Sequence, residues 1–274
     1  MDIERRVATT NDDFRVFLDA NGLAYKKDSN LVILKIMESN PKWPIVEEYI
    51  ACNSIFSQAT PRYTKAEMNN ASWFAVRSKW RWEYPMPDSD GSYKQVVYNT
   101  DSHCEECGTG LIQKDLFRLR KSPNWGTKHF LMLNWVEDEL FVSEKAKNIL
   151  SGSELKGFEF LEVLRYKKDT VLDGIFQLKV LNTLMPGFIP VEKYIKKHLL
   201  CECCDSSKWI LSGKGCAFDK QIFPEDIDIA KSYEGFGFGH TAPKMIFVSQ
   251  KFYRLIIDNK LDKNLEFIPI DLKG

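Results

Sequence analysis

Five of the seven cysteines fall into two tight groups, and the types and spacing there suit metal chemistry. Cys104-Glu-Glu-Cys107-Gly108 is a knuckle half-site: two thiolates separated by two residues chelate one ion, and the glycine after them permits the tight turn. Cys201-Glu-Cys203-Cys204 contains a second C-x-x-C, between Cys201 and Cys204, and leaves Cys203 over. Four thiolates from two such hairpins make a closed tetrahedral site, structural because no position remains for water. Zinc is the expected ion, with Cys104, Cys107, Cys201 and Cys204 as its ligands. The 93 residues between the pairs exceed the spacing of a compact ribbon, so the ion must clip together two distant stretches of chain. Its binding then supplies folding free energy directly. Cys52 and Cys216 stand alone, and neither pair has the βαβ setting of a redox dithiol.

Other candidate chemistry is weaker. His103-Cys104-Glu105 with Cys201-x-x-Cys204 superficially matches the zinc-deaminase pattern, in which the Glu would be the acid/base group. Leu200 stands where that pattern has Pro, and Cys104 and Cys107 would be idle. His129, His198 and His240 are too scattered to form a triad, and no P-loop, nucleophile elbow or H-E-x-x-H occurs. Gly235-Phe-Gly-Phe-Gly239-His240 lacks dinucleotide-fingerprint spacing and reads as a turn or bulge. Glu137-Asp-Glu139 reads as a metal site or, equally, a solvated loop. Trp73, Trp80, Trp82 and Tyr84 lie among Arg77, Lys79 and Arg81, a mixture that can stack bases or anchor a partner. The alternation Trp80-Arg-Trp82-Glu-Tyr84 fits better a strand with one aromatic core face and one cationic face.

The elements that must position the cysteines show an internal echo. Phe141-Val-Ser143 and Phe247-Val-Ser249 each end an apolar run, and each Ser is placed to cap a helix. Ala146, Ile149 and Leu150 in one helix, and Phe252, Leu255 and Ile256 in the other, keep helical spacing. Each unit closes on a strand, Phe158-Glu-Phe160 or Leu265-Glu-Phe267. Ser143 and Leu155 map onto Ser249 and Leu261 at a constant offset of 106 residues, and the cysteine pairs are offset by 97. This predicts two degenerate repeats, at about 100–165 and 198–272, within a domain over 96–274. Residues 1–95 form a separate N-terminal α/β lobe of unknown role. Its signals are a helix over Ile45–Cys52, a capping box at Thr64–Glu67 and a strand over Ser72–Arg77. The turn-rich Tyr84–Tyr93 stretch marks the boundary, followed by a short β-like Val96–Tyr98. The expected class is α/β in the α+β sense: mixed sheets from two strand–helix–strand units stapled by a four-cysteine zinc site, plus the lobe.

The chain has 274 residues, 38 basic and 38 acidic, so no clustered basic face suggests itself for phosphate binding. Its longest uncharged apolar runs, such as Phe130–Leu133 and Met245–Val248, are far short of a membrane span. The charged start MDIERRVATTNDDF does not read as a signal peptide, and a cytoplasmic location is expected.

The run from Cys104 to Leu150, the second C-x-x-C followed by Lys208-Trp209, Phe236-Gly-Phe-Gly239 and the closing FVSQKFYRLI…LEFIPI resemble the double-CXXCG motif proteins. These are bacterial proteins grouped with the immunity proteins of polymorphic-toxin systems. The resemblance covers about residues 95–274, with one departure: Asp205 follows the second pair in place of Gly. Asp tolerates the left-handed turn better than most residues. The resemblance implies a non-enzymatic protein that binds and neutralises a cognate toxin; the cysteines, the short apolar runs and the balanced charge add the expectations of structural zinc, no membrane and no nucleic-acid partner. The alternatives are a zinc-ribbon nucleic-acid or regulatory module using the Trp/Arg stretch, and an enzyme with an open metal position and Glu105 as acid/base group.

Overall fold

A computed structural model describes all residues, Met1–Gly274, and the chain divides into two compact units. The first comprises Met1–Asn70 together with Ser212–Gly215, and the second is the remainder. No helix is long and apolar enough to cross a membrane.

In the first unit the elements are β1 (Asp2–Thr9), α1 (Asp12–Ala20), β2 (Lys26–Asp28), β3 (Leu31–Met37), α2 (Trp43–Cys52), β4 (Ser57–Arg62) and α3 (Lys65–Asn70). The strands form an antiparallel sheet of order β2-β3-β1-β4. Phe14 and Leu18 of α1 and Trp43, Val46 and Ile50 of α2 pack with Val7, Val32, Leu34 and Ile36. The expected helix over 45–52 is α2, which starts earlier because Pro44 occupies a first-turn position where no N–H is needed. The capping box forms before α3: Glu67 N–H donates to Thr64 Oγ1 at 3.2 Å and Thr64 N–H to Glu67 Oε2 at 2.8 Å.

The second unit begins with β5 (Trp73–Ser78), β6 (Arg81–Trp82), α4 (Tyr93–Val97), β7 (Tyr98–Asn99), β8 (Ile112–Gln113) and β9 (Arg118–Leu119). Then come β10 (Phe130–Leu133), β11 (Leu140–Ser143), α5 (Glu144–Ser151), β12 (Phe158–Arg165), β13 (Val171–Val180) and β14 (Phe188–Ile189). It ends with β15 (Ile195–Leu200), β16 (Ser207–Leu211), β17 (Ala217–Asp219), β18 (Ile229–Phe236), β19 (Lys244–Ser249), α6 (Gln250–Asp258), β20 (Leu265–Pro269) and β21 (Asp271–Lys273). The architecture is α+β, as the sequence implied, with two six-stranded mixed sheets of order β6-β10-β11-β13-β12-β9 and β15-β16-β18-β19-β5-β20.

The two repeats are larger than their echo and exchange a strand. In one sheet β13 lies between β11 and β12; in the other β5 lies between β19 and β20, antiparallel to both neighbours in each case. The registers agree residue by residue. Ser143, Val142, Phe141 and Leu140 face Ile175, Phe176, Gln177 and Leu178. Ser249, Val248, Phe247 and Ile246 face Trp73, Phe74, Ala75 and Val76. Each repeat therefore begins with a strand that completes the other repeat's sheet. This moves the expected boundary from residue 95 to between Asn70 and Ala71, because β5 is an interior strand of the larger unit. Val96–Tyr98, expected as strand, is mostly the end of α4, whose Tyr93 and Val97 are buried in the core with Phe117, Leu131 and Phe141.

The caps are equally matched. Ala146 N–H donates to Ser143 Oγ at 3.3 Å and Phe252 N–H to Ser249 Oγ at 3.2 Å. Each Ser is braced by the residue before the first hairpin strand, Ser143 Oγ by His129 Nδ1 at 2.9 Å and Ser249 Oγ by Asp228 Oδ1 at 2.6 Å.

Candidate metal centre

The loop between β7 and β8 carries Cys104 and Cys107, and the tip between β15 and β16 carries Cys201 and Cys204. The fold brings all four together, with every sulfur within 4.8 Å of the others. Cys104 Sγ lies 3.7 Å from Cys201 Sγ, and Cys107 Sγ lies 3.6 Å from Cys204 Sγ. A disulfide needs about 2.05 Å, so these are not bonded pairs. A tetrahedral zinc with Zn–S near 2.3 Å places its sulfurs about 3.8 Å apart, and the observed separations match that edge. The donor set therefore fits a metal ion held by four thiolates.

Both knuckles fold alike because the same backbone bonds close them. Cys104 N–H donates to Thr109 O at 3.0 Å and Gly108 N–H to Cys104 O at 2.7 Å; Cys201 N–H donates to Ser206 O at 2.9 Å and Asp205 N–H to Cys201 O at 3.0 Å. The turn places Gly108 at φ +81° and Asp205 at φ +55°, so Asp205 does adopt the left-handed conformation. Gly108 has a further reason to be glycine: a Cβ there would sit 2.4 Å from the His240 carbonyl oxygen.

The surroundings order the sulfurs. Cys107 is buried, Cys104 and Cys201 are half-buried and Cys204 is exposed. The Thr109 hydroxyl lies 3.0 Å from Cys107 Sγ. Donation from the Ser206 hydroxyl and then its backbone N–H, aided by the Cys107 and Cys104 thiols, pulls Cys204 down to about 6. Cys104 goes the other way. The Cys107 backbone N–H works to lower it, but burial and the thiols of Cys204, Cys107 and Cys201 push it up to about 12. Crowded thiols resist ionising together, and a divalent cation among them removes that resistance.

Lys208 pins the site from behind. Its buried ammonium donates to Cys107 O at 2.9 Å, to Thr241 O at 3.0 Å and to Gly239 O, tying the Gly235–Thr241 loop to the first knuckle. The strand that leads into that loop, β18, shifts register against β19 between Lys231 and Gly235. The sequence offered no signal for Lys208 beyond its place near the second pair.

The remaining candidates have other partners. Cys203 is exposed and lies outside the group, and burial followed by the neighbouring Cys201 raises its thiol. His103 Nδ1 contacts Thr109 O at 3.0 Å, and neither it nor Glu105 joins the sulfurs, so the deaminase constellation does not form. His129 braces Ser143, His198 stacks on Trp209 at 4.1 Å and His240 Nδ1 contacts Glu105 O at 3.1 Å. Trp73 is core, while Trp80 and Trp82 pack against the core beside Trp125. Arg77 and Lys79 pair with Glu266, and Arg81 pairs with Glu137. Glu139 departs from the solvated-loop expectation: it is 2% exposed and ion-paired with Lys231.

Compared with protein-family models, with curated proteins and with solved structures, the chain finds no match.

Proposed function

We propose that this chain is a non-enzymatic immunity protein that binds and neutralises a cognate bacterial toxin in the cytoplasm, with zinc as a structural staple. One observation carries the reading: two C-x-x-C knuckles, one followed by Gly and one by Asp, meet in a single four-sulfur cluster. A site whose four positions are all protein sulfur leaves none for water or substrate, so its work is to hold the two repeats in register. Paired knuckles ahead of Phe-Val-Ser helices are also the residues that resemble the double-CXXCG proteins. An inhibitor needs a rigid surface with a few buried anchors, and a stapled, strand-exchanged scaffold supplies rigidity.

Co-expression with the toxin-like product of a neighbouring gene tests this directly. The expected result is restored growth and a one-to-one complex that survives gel filtration. Failure of both protection and complex formation would remove the immunity reading while leaving the metal staple in place.

A further inference from the structure

Between the two repeats lies an open cleft of about 830 Å³. Its floor is a chain of buried polar groups. Lys231 Nζ donates to Glu139 Oε1 at 2.6 Å and lies 3.4 Å from Asp138 Oδ2. Gln177 Nε2 donates to Glu139 Oε2 at 2.9 Å, and the side-chain amides of Gln177 and Gln113 bond each other reciprocally at 2.8 Å. Lys179 Nζ then donates to Gln113 Oε1 at 2.7 Å.

The fold does not require this chain. At the matching register positions the apolar counterparts are Met245 for Glu139 and Ala75 for Gln177 in the second sheet, and Met132 for Lys231 in the first. Buried charges and amides are costly where apolar side chains do the same packing, so a polar chain built across the two repeats, at positions whose counterparts are apolar, points to use.

Lys231 is matched by two carboxylates, but two other cleft lysines are not. Lys179 uses one of its three N–H groups, on an amide, and the Lys244 ammonium makes no hydrogen bond or ion pair. Both are half-buried, and burial, with Lys231 adding to the effect, holds both ammonium groups below the ordinary lysine value against the pull of Glu139, Asp138 and Glu159 on Lys179 and of Asp138 and Glu234 on Lys244. At the rim, Trp135 stands 50% exposed at φ +66°, a conformation bulky residues rarely adopt. It is held there by the Tyr93 hydroxyl, 3.3 Å from its carbonyl, and by the Tyr84 ring at 4.4 Å. Ile112 and Leu181, also exposed, line the same cleft.

We propose that the cleft binds a carboxylate-bearing ligand, with its carboxylate between Lys179 and Lys244 and its apolar body against Trp135, Ile112 and Leu181. A phosphate dianion suits the site less, because Asp138, Glu139 and Glu234 also line it. The carboxylate belongs either to a free small molecule or to an acidic side chain of a protein. The inference does not depend on toxin binding.

Calorimetric titration of the full-length, metal-loaded protein tests it with four probes: 3-phenylpropanoate, 3-phenylpropanamide, inorganic phosphate and the capped peptide acetyl-Leu-Glu-Phe-amide. A carboxylate probe should saturate one site and bind about tenfold more tightly than the neutral amide. Lys179→Gln and Lys244→Gln should each weaken it about tenfold, as expected for losing one charged hydrogen bond, with thermal midpoint and metal content unchanged. Tighter binding of the peptide assigns the site to a partner's side chain, tighter binding of the free acid to a small molecule, and either result supports the site. Equal affinity for acid and amide, preference for phosphate, binding unchanged in both variants, or no binding of any probe would overturn it.

Discussion

The two repeats of the larger unit share register, helix caps and closing strands, and they differ at the positions that hold the polar chain beneath the cleft. One repeat places Phe141 beside Glu139 and Gln177; the other places Phe247 beside Met245 and Ala75. Both phenylalanines are fully buried, so the same packing is achieved over a polar and an apolar floor. The shared positions are those the fold needs. The divergent ones mark where the two halves have taken different work.

Replacing one floor by the other breaks this comparison most strongly. Glu139→Met leaves the Lys231 ammonium with Asp138 alone, and a loss of about 3 kcal/mol is expected in urea denaturation. The triple change Glu139→Met, Gln177→Ala, Lys231→Met gives each position its counterpart's apolar residue and should return stability to within about 1 kcal/mol of the parent or above it. A triple variant as unstable as the single one would show that the fold itself requires the polar floor.

The caps give a smaller effect. Ser143→Ala and Ser249→Ala should each cost about 1 kcal/mol by chemical denaturation. Ser249 should be the larger, because its hydroxyl also satisfies the buried Asp228 carboxylate, whereas Ser143 meets a histidine. The reverse order would mean that the Asp228 contact adds nothing to the Ser249 cap.

The smallest effect lies on the closing strands. Burial works to raise Glu266, but Arg77 and then Lys79 outweigh it and hold the carboxyl below its usual value of 4.5. Its stabilisation is therefore present above the unfolded value and lost as pH falls through the folded one. Glu266→Gln should cost about 0.5 kcal/mol at pH 7, and the difference should vanish in acid. Its counterpart Glu159 faces Lys179, which bonds Gln113 instead, so Glu159→Gln should change stability less at either pH.

Much of this unit was legible in the sequence because its signals are local. The C-x-x-C spacing and the Phe-Val-Ser caps identify knuckles and helix starts that close within a turn or two, and the constant offset shows the same local pattern written twice. What stayed hidden depends on distant partners. Ser72–Arg77 reads as a strand, but nothing in its own residues says that it completes a sheet with Ile246–Ser249 and Leu265–Pro269, far along the chain. The boundary near residue 95 followed from turn-forming residues at Tyr84–Tyr93, which here connect elements inside one unit. Glu139 carried the composition of a solvated loop, because its partner Lys231 lies in the other repeat.

The central claim is that one metal ion, held by cysteines from both repeats, staples the exchanged halves together. Metal content per chain, measured on protein purified without chelator alongside Cys104→Ser and Cys201→Ser, tests it most directly. The account predicts about one zinc per chain in the parent, lost from both variants, with the thermal midpoint falling by about 10 °C or more in each. A parent with no metal, and variants as stable as the parent, would contradict it.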